Sequence, residues 1–141
     1  MRLKTDTPRW IAAILSLPWL LPVSRIALIS AFLIGGIQKL VDFPAAVAEQ
    51  AHFGLQPAWL WAAAAIVVEL GGSALVIIRR WVWLGAGGLG VLTAIAMLTA
   101  NDFWAKTGND RFMAVNGFFE HLGLIAGLVL VSLLSLREKG A

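Results

Sequence analysis

Four stretches of the chain are apolar almost without interruption, at residues 23–41, 58–78, 81–100 and 115–136. Each is about 20 residues long, the length that ~30 Å of hydrocarbon requires at 1.5 Å of rise per helical residue. Because unpaired backbone groups cannot sit in lipid, all four are predicted as helices. The fold class that follows is an all-α membrane protein, a four-transmembrane-helix bundle. The apolar run ahead of the first span begins earlier, at Trp10, and would be too long for one crossing. Pro18 and Pro22 are read as dividing it, since proline lacks the backbone donor and clashes with the preceding turn. Residues 10–21 are therefore predicted as a short N-terminal interfacial or re-entrant helix. A secretory signal is the rival reading, with Arg2, Lys4 and Arg9 ahead of an apolar stretch, but no small-x-small cleavage site precedes Arg25. The plan is an N-terminal segment over residues 1–22, a four-helix membrane domain over 23–136 and a tail over 137–141.

Composition sharpens this. The chain is 60% apolar and 13% charged, with a mean hydropathy of +0.83. Soluble domains run near 45–50% and 25%, so a soluble domain, a disordered chain and a disulfide-stapled scaffold are all excluded. There is no cysteine, which removes thiol catalysis, Cys-ligated zinc, iron–sulfur clusters and relays through the protein's own sulfur. Redox work would need a bound cofactor or a partner protein.

The basic residues predict the orientation. Arg2, Lys4, Arg9, Arg25, Arg79, Arg80, Arg137 and Lys139 fall on one side of a four-span chain, and only Lys39, Lys106 and Arg111 on the other. By the positive-inside rule both termini are cytoplasmic. The net charge of +3 then needs no nucleic acid as partner, only a bilayer with an anionic inner leaflet. Trp81 and Trp83 near one interface, and Trp59, Trp61 and Trp104 near the other, form aromatic belts.

Ionisable groups inside spans are costly unless they face the bundle interior, so they are the candidates for function. Glu69 falls near the middle of the second span. Lys39, after Gln38, ends the first; Glu120 and His121 stand early in the fourth, with Asn116 four residues before Glu120; Asn101 and Asp102 close the third. All lie toward one leaflet, which predicts a polar pocket in the periplasmic half and almost no polar groups in the inner half. Glu69, Lys39 and His121 are the candidate catalytic residues. Gln38, Asn116, Glu120 and Phe118 are candidates for lining a substrate or quinone pocket. The bland alternatives are a buried ion pair for Glu69, snorkelling for Lys39 and an interhelical hydrogen bond for His121.

Small residues Gly36, Gly71, Gly72, Gly123 and Gly127 are read as helix-packing positions. Gly85-Ala86-Gly87-Gly88-Leu89-Gly90 matches G-x-G-x-x-G, but within a span it lacks the strand and soluble βαβ unit that dinucleotide binding needs. No metal site is expected, because no Glu-x-x-His motif joins the acids to His121. Haem is not expected either, because the only second histidine, His52, lies in a connection.

The order of these features resembles the DoxX family of small four-helix bacterial inner-membrane proteins, over Arg25 to Leu136. The features are an Arg at the start of the first span, Gly36-Ile37-Gln38-Lys39 at its end and Gly54-Leu55-Gln56-Pro57 before the second. Glu-x-Gly-Gly-x-x-Leu follows from Glu69, then an Arg turn, then Phe-x-x-x-Leu-x-Leu-x-x-Gly from Phe118. The resemblance implies a multi-pass inner-membrane protein. Its relatives have been linked to a membrane subunit of a thiosulfate:quinone oxidoreductase, to oxidative- and thiol-stress complexes and to operons for modified metal-binding peptides. By position Lys39, Glu69 and the polar pair of the fourth span carry over. Many relatives have Lys-Asn where this chain has Glu120-His121, and that reversal offers Lys39 a partner at Glu120.

Three functions follow as expectations. The first is a subunit of a quinone-linked oxidoreductase, with no built-in cofactor, a quinone bound by Lys39, His121 or Gln38 above Phe118 and Phe119, and Glu69 as proton relay. The second is a non-catalytic scaffold for a partner protein, with the polar cluster serving folding. The third, a small proton-coupled exporter acting as a homo-oligomer, is weakened because such exporters carry their acid in the first span and this chain carries it in the second.

Overall fold

The computed structural model describes residues 6–140. They form α1 (Arg9–Leu15), α2 (Leu20–Val41), α3 (Phe43–His52), α4 (Ala58–Ile77), α5 (Val82–Ala100), a 3-10 turn (Phe103–Ala105) and α6 (Gly108–Gly140), with no strand among the described residues. Helices α2, α4, α5 and α6 are long and apolar enough to cross a membrane. They pack in chain order: α4 lies between α2 and α5, α6 lies on α5, and α2 meets α6 only sparingly.

The boundaries differ from the hydropathy reading in three places, each for a backbone reason. Pro18 falls in the turn after α1, but Pro22 does not divide the run: it is the third residue of α2, where backbone N–H groups have no helical partner to lose. The connection after the first span holds a helix, α3. Asp42 caps it by accepting from the Ala45 N–H at 3.1 Å, and Pro44 suits its first turn. Helix α6 has 33 residues, about 50 Å at helical rise, and so continues beyond the apolar segment at both ends. The added turns carry Asn109, Asp110 and Arg111 at one end and Arg137, Glu138 and Lys139 at the other, which end the apolar pattern without ending the helix.

The core is apolar and narrow. Ile29 of α2, Val76 of α4, Leu89 of α5 and Leu128 of α6 are essentially inaccessible and gather Phe32, Val82, Ala86 and Val131 around them. Close backbone approach makes this possible. A Cβ on Gly85 would stand 2.6 Å from the Gly72 carbonyl oxygen, one on Gly36 2.8 Å from Leu70, and one on Gly127 2.8 Å from Leu28. Gly71 and Gly123 face open space instead, as does Gly87, so the packing surface uses only part of the glycine set. Gly85→Ala should therefore destabilise the bundle by about 1–3 kcal/mol through overpacking against backbone. Gly87→Ala should be neutral or mildly stabilising, since it adds helix propensity in free space. Unfolding of both variants in mixed micelles checks the contrast.

The bundle end opposite Lys39 is not bare of polar groups, contrary to the expectation for the inner half. Arg25 is 4% exposed and donates to Glu138 Oε2 at 3.0 Å, and Arg79 forms an ion pair with the same oxygen at 3.1 Å. This triad ties the start of α2, the turn after α4 and the last turns of α6 together. Glu138 lies beyond the apolar segment, so hydropathy alone gave no reason to place it against a buried arginine.

Candidate functional site

At the other end, Lys39 in the last turn of α2 reaches across to Glu69 in the middle of α4, with Nζ 3.2 Å from Oε1. The approach depends on Gly36, while Gly35 borders the pair at ordinary contact distance. A Cβ on Gly35 would stand 3.4 Å from Glu69 Oε1 and 3.6 Å from Lys39 Nζ, and Gly36 lets the Glu69 stem come within 3.0 Å of where its own Cβ would be. Glu69 is 8% exposed. Its second oxygen, Oε2, is buried and has no hydrogen-bond partner among the described residues. A buried polar atom without a partner costs free energy.

A cavity of about 400 Å³ lies against this pair. Lys39, Glu69 and His121 supply its chemistry, while Phe53, Trp61, Leu92 and Ile95 supply apolar wall. Helix α3 contributes Glu49 and Gln50, and the end of α5 contributes Asn101. Beside it is a smaller open space of about 180 Å³, lined by Ala31, Phe32, Leu92, Thr93, Ala96 and Leu124 and again by Glu69 and His121. Glu69 and His121 thus border both spaces.

His121 is oriented by its own helix. Its Nδ1 lies 2.6 Å from the Gly117 carbonyl oxygen. A carbonyl only accepts, so Nδ1 carries a proton, and in the neutral ring Nε2 holds the lone pair. Asn101 packs directly on Gly117, with its amide nitrogen 3.5 Å from Nδ1, which wedges α5 against α6 beside the ring. Lys106 closes the α5 terminus by donating to the Ala100 carbonyl at 2.7 Å and pairing with Asp102 at 2.9 Å.

The structure brings together Lys39, Glu69 and His121 and sets the other expected pocket residues apart. Gln38 is exposed and lines neither space. Asn116 and Glu120 line a separate polar hollow with Lys106, Asp110 and Asn101, so the partner of Lys39 is Glu69 and not Glu120. Phe118 lies edge-on to Phe103 and Phe119, with ring centroids 5.3 and 5.4 Å away, in an aromatic cluster away from the cavity. The apolar wall comes from Phe53, Trp61, Leu92 and Ile95, which looked in sequence like ordinary span and loop residues. His52 is exposed and stacks on Phe53 at 5.1 Å. No group of three or more His, Asp or Glu side chains placed to hold a metal occurs among the described residues.

A protein-family model described as DoxX matches residues 20–102. The match runs from the first residue of α2 to just past α5, so it includes Lys39 and Glu69 and stops short of His121. No curated protein and no solved structure matches the chain.

Proposed function

The chain belongs to the DoxX family, and from that premise we propose that it is an inner-membrane subunit of a bacterial redox or sulfur- and oxidative-stress system whose Lys39–Glu69–His121 cavity binds a quinone. The observation that carries this reading is Glu69 Oε2, a buried oxygen without a partner bordering a cavity with apolar walls and a cation at its side. A ring of flat apolar faces with polar atoms at its edge complements that arrangement. Phe53, Trp61, Leu92 and Ile95 would flank the ring, and Lys39, which keeps further N–H donors beyond the one on Glu69, would meet one ring oxygen. Glu69 and His121 Nε2 are placed to take up protons at the other. A bound quinone would supply the two-electron chemistry that a chain without cysteine lacks, and electrons would pass to or from a partner redox protein.

In the bilayer the Arg25 end faces the cytoplasm, where the basic residues concentrate, and the cavity belongs to the periplasmic half. Reporter fusions after Lys106 and after Lys139 should report opposite sides of the membrane; agreement between the two would refute this orientation.

The binding reading is tested by extracting lipids from the purified protein and assaying quinone. Wild type should retain quinone in near-stoichiometric amount, and Glu69→Leu should lose most of it. If wild type carries none and takes up none from quinone-loaded vesicles, the ion pair serves helix packing and the scaffold function stands in its place.

A further inference from the structure

The polar atoms of the smaller space all offer lone pairs. Thr93 donates its hydroxyl hydrogen to the Leu89 carbonyl at 2.6 Å and so presents only acceptor capacity. His121 uses its Nδ1 proton on Gly117, leaving Nε2 as an acceptor. Glu69, ion-paired with Lys39 through Oε1, has Oε2 buried without a partner. The remaining lining residues, Ala31, Phe32, Leu92, Ala96 and Leu124, are apolar. A space with three acceptors and no donor discriminates among ligands, because a buried acceptor facing another acceptor leaves both unsatisfied.

A cation would satisfy the acceptors but would leave a net positive charge, since Lys39 already neutralises Glu69. What fits is a neutral hydroxyl donor entering from the outer cavity. We propose that this smaller space selects the redox state of the ligand: Glu69 Oε2 receives the single hydroxyl proton of a hydroquinone, while Glu69, His121 and Thr93 offer no donor to the carbonyl of the corresponding quinone. This rests on the reading of the outer cavity as a quinone site, and it adds which form is held. The ring lies in the outer cavity between Trp61 and Leu92, and one hydroxyl passes between Glu69 and His121 into the smaller space.

The test uses the full-length protein in nanodiscs and a short-chain benzoquinone, titrated anaerobically in its oxidised and its dithionite-reduced form. The hydroquinone should bind at least about tenfold more tightly, the ratio expected for one hydrogen bond to a charged acceptor. By linkage, the two-electron midpoint potential of the bound couple then rises by about 30 mV for each tenfold of preference. Glu69→Gln places an amide N–H donor where only lone pairs stood, so it should bring the two affinities to within about threefold of each other as that hydrogen-bond difference is lost. His121→Phe, which removes the second acceptor without adding a donor, should reduce the preference partway. Equal affinities, or tighter binding of the oxidised form, in wild type would overturn the inference and leave the quinone site standing. If neither form binds, the site and the inference fall together.

Discussion

Replacing Lys39 by Met should destabilise the folded bundle by about 1–3 kcal/mol, less than for a fully buried ion pair, because the Lys39 side chain keeps 19% of its surface exposed and the stranded carboxylate can take up a proton. The reason is electrostatic. Glu69 sits near the middle of α4 with 8% of its surface exposed, and Lys39 is the cation that meets it. Without that ammonium the carboxylate keeps its desolvation cost and loses its compensation. The double variant Lys39→Met with Glu69→Leu should recover most of the loss and be as stable as wild type or more so, because apolar residues of similar volume in place of a buried pair are often neutral or stabilising. Reversible unfolding in mixed micelles, arranged as a double-mutant cycle, measures the coupling directly. Non-interacting losses that simply add would contradict the pairing. If the double variant folds stably while binding no quinone, the pair is retained for ligand binding and not for architecture.

The second large effect belongs to the other end of the bundle. Glu138→Ala should cost about 3 kcal/mol or more, since it strands Arg25, which is 4% exposed and pairs with no other carboxylate among the described residues. Arg79→Ala should cost less than about 1 kcal/mol, because Arg79 is 55% exposed in its side chain and an exposed pair is weak. The same carboxylate oxygen serves both arginines, so the contrast isolates burial as the variable. Because Glu138 lies three residues from the end of the chain, removal of the last four residues should reproduce the Glu138→Ala loss. A truncation without effect would mean that the C-terminal turns of α6 do not hold the bundle end closed.

The helices were legible in the sequence because lipid imposes a length and forbids unpaired backbone, so four apolar runs translate into four helices with little freedom. Their ends were less so. Hydropathy measures where a helix is apolar, and α6 continues as a helix through Asn109, Asp110 and Arg111 at one end and Arg137 to Lys139 at the other, because backbone hydrogen bonding does not depend on that. Helix α3 was hidden for the opposite reason. Its signal is the Asp42 cap and Pro44, which a search for apolar runs passes over.

For the site, the intramembrane acid and base stood out individually, and their rarity made Glu69, Lys39 and His121 legible. Their partners did not follow from span counting. The charge reversal at Glu120 suggested a mate for Lys39, but helix rotation turns Glu120 toward Lys106 and Asp110 and brings Glu69 to Lys39 across the Gly35–Gly36 notch. Thr93 and Trp61 carry no sequence signal at all. One is an ordinary polar residue of a membrane helix and the other an ordinary belt aromatic, and only the packing of α4, α5 and α6 gives them a cavity to line.

On the proposed function, the space bounded by Lys39, Glu69 and His121 holds a quinone ring. The most direct measurement is a structure of the protein in lipid nanodiscs with a short-chain quinone added. Ring density should lie between Trp61 and Leu92, with a ring oxygen at hydrogen-bond distance, about 2.7–3.2 Å, from Lys39 Nζ or His121 Nε2. A cavity filled by an acyl chain, or a ring bound elsewhere on the bundle while Lys39 and Glu69 remain paired around an empty space, would contradict it.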